Sequence, residues 1–67
     1  MELGKAIREG RERLGMSQEA LAERLSVSRQ AVSKWETGAS DPSTSNLFAL
    51  ARLFGVRAED LLREVEQ

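Results

Sequence analysis

The chain has 67 residues, with 10 Lys and Arg against 11 Asp and Glu and neither Cys nor His. It reads as one small domain, residues 1–67, whose single modest core leaves little room for a catalytic cavity. Without Cys and His the usual zinc, haem and iron-sulfur ligands, thiol and Ser-His nucleophiles and disulfides are excluded, so no enzyme, metal site or cofactor is expected, while a formal charge of −1 argues against the most basic nucleic-acid binders.

The apolar spacing is helical from end to end, with no run of strict alternation, which predicts an all-α fold of five short helices. In the first, Leu3, Ile7, Gly10 and Leu14 form one inward stripe, and Gly15 is placed to stop it. Gly10 on that stripe predicts a close approach by another helix, because glycine inside a helix otherwise costs about 1 kcal/mol. Ser17 is the expected N-cap of a second helix burying Leu21, Ala22 and Leu25. Ser28 caps a third, with Val32 and Trp35 on its inner face and Thr37-Gly38 at its end. Gly38 to Pro42 is the longest predicted loop. Ser43 caps a fourth helix that buries Leu47, Leu50, Ala51 and Phe54 before Gly55 ends it. The last runs from about Ala58 and carries Leu61, Leu62 and Val65 inward. The longest apolar run, Leu47 to Ala51, is five residues, against the roughly 20 a membrane helix needs. The first residues lack a signal peptide's apolar region. A soluble cytoplasmic protein without membrane contact is expected.

Residues 18–37 are the informative stretch. Two short helices joined by about three residues must cross steeply, which demands a small residue at the crossing, here Ala22, and apolar inner faces, here Leu21, Leu25, Val27, Val32 and Trp35. If Val32 and Trp35 face inward, Ser28, Arg29, Gln30, Ser33 and Lys34 lie at the start and along the outer face of the third helix, and none is acidic. Arg pairs with guanine O6 and N7, Gln with adenine N6 and N7, and Lys with guanine acceptors. The helix N-terminus adds positive potential.

With Leu14-Gly-Met-Ser-Gln18, Val27-Ser-Arg-Gln-Ala-Val-Ser-Lys-Trp-Glu36 and Leu53-Phe-Gly-Val56 in this order, nearly the whole chain resembles the Cro and phage-repressor (XRE-type) helix-turn-helix family. The resemblance implies a lambda-repressor-like domain with its third helix in the major groove, Arg29, Gln30 and Lys34 as base readers, and Ser33 next to them. It assigns phosphate and positioning contacts to Gln18, Ser28, Thr37 and Ser40, with Gln18 also bracing Arg29. Arg11 and Glu36 match a structural ion pair, and Phe48, Gly55, Arg57, Ala58 and Leu62 a candidate homodimer contact. The implied function is a sequence-specific regulator of transcription, most simply a repressor that binds a near-palindromic operator in double-stranded DNA as a dimer, in the bacterial or phage nucleoid. The alternative is a protein-interaction module, such as an antitoxin or a restriction-modification controller protein, with a protein partner on the acidic C-terminal face.

Some positions depart from the family. Ser26 stands where glycine is usual, the loop Ala39-Ser-Asp41 offers phosphate no cation, Thr44 replaces a larger aliphatic residue, and Arg57 replaces a Ser or Thr N-cap. Charge is also uneven. Residues 1–34 carry seven Lys and Arg against five acids, and residues 35–67 carry three against six. An acidic half turned away from DNA predicts modest non-specific affinity and a shallow salt dependence.

Overall fold

A computed structural model describes residues 2–63, and every element among them is helical: α1 (Glu2–Arg13), α2 (Gln18–Leu25), α3 (Arg29–Thr37), α4 (Thr44–Phe54) and α5 (Ala58–Arg63). Val65, expected in the last apolar stripe, lies outside the described residues. None of the described helices is long and apolar enough to cross a membrane.

The helix starts are made by side chains three residues away. The hydroxyls of Ser17, Ser28 and Ser43 accept the backbone N–H of Ala20 (3.0 Å), Ala31 (3.1 Å) and Asn46 (3.2 Å). α5 starts differently. Asp60 reaches back to accept the Arg57 N–H at 3.3 Å, and the Arg57 guanidinium donates to Glu59 at 2.8 Å, so the cation at this helix start is partnered within its own turn.

The first four helices end by one device, in which the N–H two residues past the last turn bonds back to a carbonyl five residues earlier. These bonds are Met16 to Arg11 (3.1 Å), Val27 to Ala22 (2.9 Å), Ala39 to Lys34 (2.9 Å) and Val56 to Ala51 (2.9 Å). Met16, Val27 and Val56 also pack on the core, so the turn that stops each helix delivers a side chain to the interior. After α3 this requires φ +84° at Gly38. After α2 the same left-handed backbone falls on Ser26, at φ 58° and ψ 42°. A side chain there carries a cost of about 1 kcal/mol.

The core consists of Leu3, Ile7, Leu21, Ala22, Val32, Trp35, Leu50, Ala51, Phe54 and Leu61. α3 is held against both α1 and α2, which sets the angle at which its outer face is offered. Three expectations are corrected. Leu14 is 46% exposed, because α1 stops at Arg13 and Leu14 falls in the turn. Leu62, placed both in the last apolar stripe and at the candidate dimer contact, leaves the stripe: it is 43% exposed beside buried Leu61, because neighbours on a helix point about 100° apart. Leu25 and Leu47 are half-buried and pack against the core without entering it.

Gly10 does mark a close approach: a Cβ there would lie 2.7 Å from two Phe54 ring atoms. Gly4 marks a tighter one. Its Cβ would lie 2.6 Å from the backbone carbonyl oxygens of both Trp35 and Glu36, so α1 rests on the main chain at the end of α3. Gly4→Ala should therefore destabilise the protein despite alanine's better helix propensity. We expect a net loss of about 2 kcal/mol, or about 10 °C in Tm by thermal denaturation. Gly10→Ala should cost less, because an aromatic side chain can shift where a backbone cannot.

Candidate nucleic-acid interface

α3 divides cleanly into two faces. At 100° per residue Arg29, Gln30, Ser33 and Lys34 share an arc of about 140°, and Ala31, Val32, Trp35 and Glu36 share the opposite arc. The burial follows. Val32, Trp35 and Glu36 are buried and Ala31 is half-buried, whereas Arg29, Gln30 and Lys34 are exposed and Ser33 is half-buried at the edge. The first turn holds no acid, and exposed Ser28 caps it by accepting the Ala31 N–H. A helix with its side chains is about 10 to 12 Å across and fits a groove about 12 Å wide.

Behind this face Glu36 is a buried junction. Arg11 donates to it through Nε at 2.7 Å and Nη2 at 3.1 Å, and also donates through Nη1 to the Met16 carbonyl at 2.9 Å. Gln18 adds a third bond to Glu36, from Nε2 to Oε1 at 3.1 Å, and Arg8 Nε approaches that same oxygen at 3.9 Å. One carboxylate thus ties α1, the start of α2 and the end of α3. The side chains of Glu36 and Arg11 are 2% and 13% exposed. The hydrogen bond to Glu36 raises the Arg11 pKa above its ordinary value, with burial opposing it and the Glu36 and Glu12 charges assisting. A cation raised in this way contributes fully below its unfolded pKa, so Arg11 holds its charge throughout the neutral range.

The place of Gln18 here was not legible in the sequence. One of its two amide hydrogens is taken by Glu36, which leaves one hydrogen and the carbonyl oxygen for other partners. Among the described residues no hydrogen bond joins it to Arg29; what it has is an anchor on Glu36.

The loop after α3 is more closed than its hydroxyls suggest. The Lys34 carbonyl accepts the backbone N–H of Ala39 (2.9 Å) and Ser40 (3.3 Å) and the Thr37 hydroxyl (3.2 Å). Thr37 has therefore spent its proton, and Ser40 keeps its exposed hydroxyl while its N–H is used internally. With Asp41 following, this loop is a poor anion cradle.

Elsewhere on the surface, Phe48 on α4 is 54% exposed, Leu62 on α5 43%, Arg57 is exposed and Ala58 half-buried. Among the described residues no group of three or more His, Cys, Asp or Glu is placed to hold a metal ion.

Comparison with known proteins sets these features in context. The family model described as Helix-turn-helix matches residues 7–61. The chain is 39% identical over 62 residues to the HTH-type transcriptional activator BcrR of Enterococcus faecalis, covering 92% of this chain and 30% of that one. It is 46% identical over 46 residues to an uncharacterized HTH-type transcriptional regulator of Methanocaldococcus jannaschii, covering 69% and 70%. It spans only 28% to 52% of several further bacterial and phage relatives. In three dimensions it superposes on the c2 repressor of phage P22, solved in complex with a synthetic operator, with a TM-score of 0.84 and 33% identity over 91% of this chain and 92% of that one.

Proposed function

The chain belongs to the Cro and phage-repressor (XRE-type) helix-turn-helix family, and from that we propose that it is a regulator of transcription that binds specific sites in double-stranded DNA. The observation that carries this reading is the division of α3, which offers Arg29, Gln30, Ser33 and Lys34 together from a helix held rigidly against α1 and α2. In the major groove the base contacts of the first two turns of α3 fall to Arg29, Gln30 and Lys34, with Ser33 at the edge. Ser28 and Gln18 face phosphate with the Ser40 hydroxyl, whereas Thr37, whose hydroxyl proton goes to the Lys34 carbonyl, has no donor left for it. The likeness to a repressor solved with an operator supports the same docking.

The rest of the reading is architectural. Two copies paired through Phe48, Arg57, Ala58 and Leu62 would place two recognition helices about 34 Å apart on a near-palindromic site. Exposed Phe48 and Leu62, on helices that pack together, favour this pairing. Occluding a promoter asks only for tight binding, so repression is the simplest output, exerted in the cytoplasm on the nucleoid.

In vitro selection from random duplexes at two salt concentrations tests the proposal. Enrichment of a two-fold related motif is expected, and failure to enrich any motif at low salt would refute it. On the selected site, Arg29→Ala should relax preference at one base position by about 1 to 3 kcal/mol, whereas Gln18→Ala should weaken all sequences alike. Uniform losses for Arg29→Ala would remove it from the base readers. Sedimentation of Phe48→Ser should give a monomer where the unaltered protein gives a dimer. If the unaltered protein is itself monomeric at high micromolar concentration, the pairing is wrong.

A further inference from the structure

We propose that Arg8, a residue of α1 outside the helix-turn-helix segment, is a DNA-phosphate contact set beside Gln18 by their shared neighbour Glu36; this rests on the DNA-binding reading above. Arg8 Nε and Gln18 Nε2 converge on one atom, Glu36 Oε1, at 3.9 and 3.1 Å. Glu36 does not need Arg8. Its oxygens already accept two bonds from Arg11 and one from Gln18, and 3.9 Å is too long for a hydrogen bond. The Arg11 cation balances the Glu36 carboxylate, so the Arg8 charge at the rim of the junction is not needed to neutralise it.

The Arg8 side chain is 54% exposed, and Glu9 and Glu12, which line the same groove with Lys5, form no ion pair with it. Its planar guanidinium keeps donors in the fork geometry that matches a phosphate. The alternative anchor is weak, since the loop after α3 has Asp41 in place of a cation and has turned two N–H groups and the Thr37 hydroxyl onto the Lys34 carbonyl. Backbone positioning therefore shifts to the start of α2 and the flank of α1, where a polar amide and an exposed guanidinium stand together.

The test compares the unaltered protein with Arg8→Gln and Arg8→Lys on the selected operator and on an unrelated duplex, between about 50 and about 200 mM salt. For Arg8→Gln the slope of log affinity against log salt should fall in magnitude by about 0.9, so that its deficit shrinks about 3-fold across this range. The deficit should be the same on both duplexes, and Arg8→Lys should restore the slope. An unchanged slope, with or without a lowered Tm, would show that Arg8 serves the fold alone and would overturn the inference. Absence of duplex binding by the unaltered protein would overturn the DNA-binding reading itself, and this inference with it.

Discussion

Replacing Trp35 with alanine should leave the protein largely unfolded at room temperature. Trp35 is a 6% exposed member of the core, on the helix packed against both α1 and α2. Truncating a buried Trp costs about 3 to 5 kcal/mol, from lost transfer energy and from the cavity left behind. A 67-residue domain at about 0.05 to 0.15 kcal/mol per residue has only about 3 to 10 kcal/mol in all. The Trp35 carbonyl is also one of the two on which Gly4 rests, so a collapse there moves α1 as well. Far-UV circular dichroism should show most of the helix signal gone for Trp35→Ala. Trp35→Phe, which keeps much of the volume, should retain a cooperative thermal transition. A native spectrum for Trp35→Ala, with a Tm within a few degrees of the unaltered protein, would mean that α3 is held mainly by other contacts.

The second large effect is expected at the junction between α1 and α3. Arg11→Met should destabilise by about 3 kcal/mol, because it strips two charged donors from a carboxylate whose side chain is 2% exposed and leaves it Gln18 and a distant Arg8. At 4 to 8 °C per kcal/mol, Tm should fall by roughly 12 to 24 °C. The double variant Arg11→Met/Glu36→Leu should recover much of that loss, since an apolar pair of similar volume avoids the desolvation that the ion pair must overcome. The double-mutant cycle should therefore show a coupling of at least about 1 kcal/mol. Additive losses would argue that the two side chains act separately. The same variants connect stability to binding. Gln18 is anchored on Glu36, so Glu36→Leu should weaken duplex binding even where the domain remains folded.

Much of this architecture was legible in the residues before any coordinates. Ser17, Ser28 and Ser43 cap by reaching a backbone N–H three residues on, an interaction that depends only on local chain geometry. The stops at Gly15, Gly38 and Gly55 are local in the same sense, and even the departure at Ser26 is resolved by its taking the left-handed backbone itself. The outward set of Arg29, Gln30, Ser33 and Lys34 follows from helical periodicity once Val32 and Trp35 are placed inside. Where periodicity was carried one step too far, at Leu14 past the end of α1 and at Leu62 beside Leu61, the side chains stand exposed.

Gly4 reads in the sequence as an unremarkable residue near the chain start, and only the docking of α1 on the Trp35 and Glu36 carbonyls shows why a side chain there is excluded. The attachment of Gln18 to Glu36 joins residues 18 apart, and the approach of Arg8 to the same oxygen joins two helices that periodicity treats separately. No local pattern encodes such distances, because they depend on how rigid elements settle against one another. The sequence by itself therefore determined the five helices, their caps and the acid-free outer face of α3, all products of contacts within one or two turns. Tertiary packing alone decided that Gln18 and Arg8 join the Arg11–Glu36 pair, already expected from the resemblance, in one junction, because a buried carboxylate must collect donors from whichever helices the core brings beside it.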